Sequence, residues 1–331
     1  MTSRPNSTTQ PFRFGVRAGS ASTANELVDG ARRAEDLGYS SLLYTDHYPG
    51  PGAAMSAANH PAQPLAAIPA VTAAAMSTST LRIGFRVLCV DYHNPVVLAK
   101  EMATIDVLSG GRLEVGLGAG WIESEYRAMG VTFDRPGVRI RRLGEVIDLM
   151  HACFAGGAVG VNGTAGVHAD GFEALPAPVQ RPRPPIAIGG GGRKVLSLAG
   201  SKADIVAFNF NNGSGRLDSA GPRSSTADLT DERVRWVRQA AADRADQPTL
   251  EIGIAALNVT ASRLAGAERF SDFFGLGPSD IIDHPHALVG DVDAICDDLQ
   301  KRRERYGFSY ITVRDQAIAE FAPVVARLAG T

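Results

Sequence analysis

The sequence predicts an α/β fold, specifically a (β/α)8 TIM barrel with insertions, and three observations carry that prediction. Strand-like and helix-like segments alternate along the whole 331-residue chain. The strand segments are near-continuous apolar runs, as a parallel sheet covered on both faces requires. Eight β-then-α units fit this length, which suits a closed barrel better than an open doubly wound sheet.

The elements follow in order. FRFGVRAG (12–19) is the first strand, and the helix after it places Leu27, Ala31, Ala34 and Leu37 on one face before Gly38 ends it. SLLYTD (41–46) is the second strand, followed by a Pro/Gly/Ala loop and a helix near 65–77. LRIGFRVLCV (81–90) is the third strand and 95–108 its helix; 113–118 is the fourth strand, and a fourth helix starts behind it. PPIAIGGGG (184–192) is the fifth, with a short helix at 193–200, and ADIVAFNF (203–210) is the sixth. LEIGIAALNV (250–259) is the seventh, and SYITVRD (309–315) is the eighth, closed by a helix over 316–329. Residues 1–11 read as a disordered tail and 12–331 as one barrel domain. Three segments exceed the barrel minimum, 153–183, 211–228 and 262–285, and are expected to act as lids at the barrel mouth.

Composition narrows the function. Hydrophobic residues at 44% and charged residues at 21% are ordinary for a globular chain, so a large core can be buried. A formal charge of -2 gives no bulk attraction to nucleic acid or to an acidic membrane, which leaves a small-molecule substrate. Cys89, Cys153 and Cys296 are odd in number, far apart and without zinc spacing, and read as free thiols of a reducing cytosol. The polar N-terminus lacks the apolar core of a signal peptide, and no apolar run approaches the roughly 20 residues a membrane span needs. A cytoplasmic protein is expected.

The chemistry of such a barrel lies where strands end. Asp46 and His47 leave the second strand in tandem; a histidine there can donate or accept a proton near neutral pH. Arg86 stands inside an apolar run, where a charge is costly unless paired, so it either contacts an anion or forms a structural ion pair. His93 precedes Asn94-Pro95, a helix start, and reads as structural. The fourth and fifth strands end in GLGAGW and GGGGRK. The dinucleotide fingerprint fails in the first, because Trp121 and Glu123 stand where glycine is required. Both turns nevertheless put bare backbone N–H groups ahead of a helix, and two adjacent loops of that kind predict a shared phosphate cradle with Arg193 and Lys194 beside it. The paired histidines of DHPH (283–286) read as a loop and RRERYGF (302–308) as a solvated helix end.

The run GLGAGWIESEYRAMGVTFDRPGVRIRRLGEVIDLM (116–150) closely resembles the luciferase-like flavin and deazaflavin oxidoreductases, through Gly118, Gly120, Trp121, Glu125, Met129-Gly130, Phe133, Arg135 and Glu145. The segments 34–47, 94–121 and 175–192 agree with it, and the likeness runs from about residue 12 to 210 and more weakly to the end. The resemblance implies a barrel that binds coenzyme F420 or FMN, with the phosphate on Gly118, Ala119, Gly120 and Trp121 and on Gly189, Gly190, Gly191 and Gly192, and with Arg193 and Lys194 toward the acidic tail of F420. It implies a non-proline cis peptide near Arg86-Val87 behind the ring, with His47 beside the reactive edge and Asp46 orienting that loop. The tandem Asp46-His47 is more similar to the F420 branch. Two departures, Trp121 in place of an acidic residue and the absence of a tryptophan shortly after the Asp-His pair, argue against sugar phosphate oxidation. The expectation is an F420-dependent oxidoreductase that passes a hydride to or from a small organic substrate, working as a homodimer. The alternatives are an FMN-dependent monooxygenase fed by a partner reductase and a non-catalytic flavin-binding barrel.

Overall fold

A computed structural model describes residues 10–331. The expected tail over 1–11 lies outside the described residues except for Gln10 and Pro11. Eight parallel strands close on themselves. They are Arg13–Ala18, Ser41–Tyr44, Arg82–Phe85 with its continuation Leu88–Cys89, Leu113–Gly118, Ile186–Gly190, Ile205–Phe208, Thr249–Gly253 and Phe308–Arg314. Each pairs with the next in chain order, and Arg13↔Tyr310 closes the ring between the first and the eighth.

The two-residue period of a strand sorts side chains cleanly. Phe14, Val16, Ile311 and Val313 face the surrounding helices in one large apolar core with Ala31 and Phe321. The alternate positions fill the barrel interior. At its lower end Glu114, 2% exposed, is held by Arg13, Arg82 and the Tyr310 hydroxyl. Above it Leu43, Ala187, Ile205 and Tyr310 form a small apolar layer. Thr23 and Glu26 make a capping box for the helix Ala24–Asp36, and Asn94 accepts from Val96 and Val97 to start Pro95–Leu108.

Three expectations need correction. The seventh strand does not run from 250 to 259. It stops at Gly253, and Ala256–Val259 leaves the barrel to pair in parallel with Ala287–Gly290. That outlying pair and the helices between its strands bury their own cluster, Ala256, Ala267, Phe274, Ile281, Ala287 and Val289. The segment 153–183 does not cover the mouth. It follows the helix Pro136–Ala155 toward the opposite end of the barrel and contains an antiparallel hairpin, Ala158–Asn162 with His168–Glu173. The hairpin tip docks midway along that helix, where Glu145 accepts from Thr164 and Ala165 and Arg142 donates to the Ala165 carbonyl. The segment 302–308 is also less solvated than its composition suggests, because Arg302 is buried and donates to the Pro285 and Ala287 carbonyls.

Candidate active site

The second strand ends at Tyr44, and Asp46 and His47 follow at the mouth. Asp46 is buried. Its Oδ2 accepts from the Cys89 amide at 3.0 Å and from His93 Nε2 at 2.9 Å, so His93 serves to hold Asp46. Its Oδ1 is buried with no hydrogen-bond partner. His47 Nδ1 lies 2.9 Å from Glu125 Oε2, and the Tyr48 amide donates to Oε1 of the same carboxylate at 3.0 Å. Burial of Glu125 pushes its pKa upward, but the hydrogen bonds from His47 and Tyr48 outweigh it and hold the carboxyl below its usual value. His47 Nε2 has no partner among the described residues. The His60 ring stands 4.1 Å from that of His47, and Trp121 packs edge-on to His60 at 5.9 Å. Burial, and then the nearby His47, lower the His60 pKa to about 4, so His60 is a neutral neighbour.

The two glycine turns lie side by side on the same rim. The fourth and fifth strands are paired through Val115↔Ile186, Gly116↔Ala187 and Leu117↔Ile188, so Gly118 and Gly189 leave the sheet together. Val87 wedges between them: a Cβ on Gly118 would fall 2.6 Å from its Cγ2, and one on Gly189 3.0 Å from its Cγ1. The peptide joining Arg86 to Val87 is cis. Gly120 has φ +66°, and any Cβ there would collide with the Tyr126 hydroxyl, so only glycine fits. The Ala119 and Gly120 carbonyls both accept from buried Arg139, at 3.1 and 2.7 Å. In a planar trans peptide the following N–H points the other way, so Arg139 turns the amides of Gly120 and Trp121 away from itself. At the fifth strand, Gly192 caps the helix Arg193–Lys202 without a capping side chain, and the first helical bond is Leu196 N–H to the Gly192 carbonyl. The preceding amides of the first turn are therefore open to a ligand.

Arg86 takes the second of the roles its sequence position allowed. Nε donates to both oxygens of Glu251 at 2.8 Å, Nη1 to Asn209 Oδ1 at 2.8 Å, and Nη2 to the Phe208 carbonyl at 3.0 Å. Its guanidinium is consumed inside the barrel, and only its backbone and Val87 adjoin the glycine turns. Arg193 is exposed and lies over the Trp236 ring at 5.9 Å. The histidines of DHPH are buried: His284 donates to the Pro222 carbonyl and His286 to that of Gly253. Above the mouth, residues 211–219 reach from the sixth strand to the loop after the second, where the Leu217 amide donates to Ala58 and Asn59 Nδ2 to the Leu217 carbonyl. Sequence reasoning missed the roles of Glu125, His60 and Arg139 at the site. Glu125 stood within the motif that carried the resemblance, but nothing in its spacing paired it with a histidine 78 positions earlier.

A closed parallel (β/α)8 barrel, with a histidine–carboxylate pair and two glycine turns at the carboxyl ends of its strands, places the chain in the TIM-barrel class. The model of the luciferase-like monooxygenase family matches residues 7–269, and the chain belongs to that family of luciferase-like oxidoreductases. Among curated relatives it is 32% identical over 119 residues to the FMNH2-dependent dimethylsulfone monooxygenase of Pseudomonas putida, covering 36% of this chain and 32% of that one. It is 31% identical over 201 residues to the F420-dependent glucose-6-phosphate dehydrogenase of Microbacterium testaceum, covering 59% of this chain and 56% of the relative. The chain thus spans about a third to just over half the length of these two relatives. Among solved structures, the coenzyme F420-dependent tetrahydromethanopterin reductase of Methanopyrus kandleri superposes with a TM-score of 0.73 at 18% identity, over 96% of this chain and 99% of that one. At that identity the likeness concerns the fold.

Proposed function

We propose that the protein is an F420-dependent oxidoreductase that transfers a hydride between the deazaflavin and a small organic substrate. The observation that carries this reading is the conjunction at one rim of the His47–Glu125 pair, the unpartnered Asp46 Oδ1 and the two adjoining glycine turns. The residues suit such a cofactor. Open amides near Gly120–Trp121 and at the start of Arg193–Lys202 offer donors to a phosphate, and the helix dipole adds to the second set. Asp46 Oδ1 is a buried acceptor without a donor, and the imide N–H of a flavin or deazaflavin ring would satisfy it. When bound, the deazaflavin supplies the hydride chemistry.

The protein's part is proton handling and position. Glu125 fixes the His47 ring by accepting a hydrogen bond from Nδ1–H, which leaves Nε2 free to face the substrate. Neutral, Nε2 accepts a proton from a substrate hydroxyl; charged, it returns one to a carbonyl oxygen. His93 and the Cys89 amide fix Asp46, and Arg139 fixes the glycine turn. The 211–219 loop, tied to Ala58 and Asn59, would cover the mouth and limit the entry of water.

A second reading, an FMN-dependent monooxygenase fed by a partner reductase, is favoured by the Pseudomonas relative and by the same glycine turns, which serve either phosphate. Equilibrium dialysis of the protein against F420 and FMN separates the two. Tight retention of F420 with weak retention of FMN supports the hydride-transfer reading, and the reverse establishes the monooxygenase.

A further inference from the structure

Three arginines, from the first, third and eighth strands, gather toward the carboxyl end of the barrel interior. On Arg13–Ala18 the inward positions are Arg13, Gly15 and Arg17: Arg13 meets Glu114, and a Cβ on Gly15 would strike Ser41. Arg17 is the uppermost of these. Strand register sets it directly beside Arg314, which has the parity of inward Tyr310 and Thr312. The third guanidinium adjoins, because a Cβ on Gly253 would lie 2.9 Å from Arg86 Nη2 and 3.3 Å from Arg17 Nη1. Like charges on neighbouring strands repel unless an anion lies among them.

The carboxylates nearby are already committed. Glu251 takes Arg86 and the Thr312 hydroxyl. Asp315 Oδ2 takes the Gly19 and Ser20 amides and the Ser20 hydroxyl, and its Oδ1 takes the Gln316 amide. Arg17 spends Nη2 on the Ile254 carbonyl, but its Nε is buried with no acceptor and its Nη1 has none among the described residues. Arg314 is exposed and its guanidinium makes no hydrogen bond among the described residues. Burial and then Arg86 pull the Arg17 pKa down to about 9, the behaviour of a cation short of compensating charge.

We propose that Arg17 and Arg314 together bind a carboxylate of the substrate, so that the protein acts on small organic acids. This rests on the reading of the mouth as a redox site. The first and eighth strands lie across the barrel from the fourth and fifth, so the cluster is distinct from the glycine turns. The first strand also pairs with the second through Arg17↔Leu43 and Ala18↔Tyr44, so the two arginines and the Asp46-His47 loop leave neighbouring strands at the same end of the barrel. Arg17 Nη1 and the exposed Arg314 guanidinium leave donors for the two oxygens of a carboxylate. Anionic oxygens can come from a substrate or from the reduced cofactor ring, and the experiment separates these sources.

The probes are benzoate and its uncharged analogue benzamide, titrated calorimetrically into the protein with and without saturating F420 or FMN. Benzoate is expected to bind in both states and benzamide in neither. Arg17→Gln and Arg314→Gln should each weaken benzoate by about tenfold or more, the loss of one charge-assisted contact, while cofactor retention and the melting temperature of the Arg314→Gln protein stay near wild type. Arg17→Lys, which keeps the charge, should recover part of the loss. Benzoate that binds only the cofactor-free protein and is displaced by cofactor assigns the arginines to the ring and overturns the proposal. So does benzoate binding that is absent, or indifferent to both substitutions. If neither F420 nor FMN binds, the redox reading itself fails, and that outcome is visible in the same titrations.

Discussion

At the scale of single residues the site is built from pairs, each leaving one atom free. Asp46 gives Oδ2 to His93 and the Cys89 amide and keeps Oδ1 open; His47 gives Nδ1 to Glu125 and keeps Nε2 open. Replacing His47 by Ala should lower turnover by about 10²-fold or more while F420 binding changes by only a few-fold. Stopped-flow reduction or oxidation of the bound ring over a panel of organic acids and alcohols checks this, and an unchanged rate removes His47 from the proton-transfer role. Gly120→Ala should act in the opposite way, on binding. The new Cβ meets the Tyr126 hydroxyl at a backbone angle that disfavours side chains, so the turn must move and cofactor affinity should fall by at least about tenfold. The tandem Asp46-His47 was legible because a strand end is a place where position alone confers meaning. Glu125 was not legible as its partner, because the contact joins two βα loops and only closure of the barrel brings them together. Arg86 shows the opposite limit: its cost inside an apolar run was plain, but its partner Glu251 lies 165 positions away.

At the scale of elements, the loops divide by the end of the barrel they occupy. Residues 211–219 leave the carboxyl end of a strand and reach the mouth, whereas 153–183 connects a helix to a strand and starts from the other end. Length and glycine content made both look like lids; the order strand-then-loop or helix-then-loop is the signal that separates them. The mouth loop is tied to Asn59, which sits at φ 50° and donates to the Leu217 carbonyl. Asn59→Gly keeps that backbone angle and deletes the tie. It should speed tryptic cleavage after Arg216 several-fold with little change in melting temperature, and cleavage no faster than wild type shows that the loop is held by other contacts. The seventh strand was misread for a related reason. LEIGIAALNV is apolar throughout, and hydrophobic patterning cannot show that Gly253 ends the barrel strand and that Ala256–Val259 then pairs with Ala287–Gly290.

At the scale of the whole molecule, the barrel was legible in the sequence from its alternation and its apolar strands, since both follow from burying a parallel sheet on two faces. The small outlying pair with its own cluster was not, because Ala287–Gly290 is four residues long and carries no turn signal of its own. No described helix is long and apolar enough to cross a membrane. Buried histidines give the fold a defined response to acid. His284 uses both ring nitrogens, Nε2 donating to Pro222 and Nδ1 accepting from the His286 amide, and burial lowers its pKa from 6.5 to about 4. The unfolded chain then binds more protons than the native chain across that window, so stability is full above pH 6.5 and falls as pH drops toward 4. For His284 alone the loss is about 3 kcal/mol. Chemical denaturation at pH 7 and pH 4.5 should show this decline, and His284→Gln should flatten it; a variant with the same slope as wild type excludes His284 as the source. The central claim is that the amides released at Gly118–Trp121 and Gly189–Arg193 grip one phosphate and so seat a redox ring over the mouth. Its most direct measurement is a fluorescence titration with F420 and with the same deazaflavin chromophore stripped of its phosphate and tail. The account predicts F420 binding at micromolar concentration or tighter and a loss of about a hundredfold for the stripped chromophore. Equal binding of the two, or no binding of F420 or FMN at all, would contradict it.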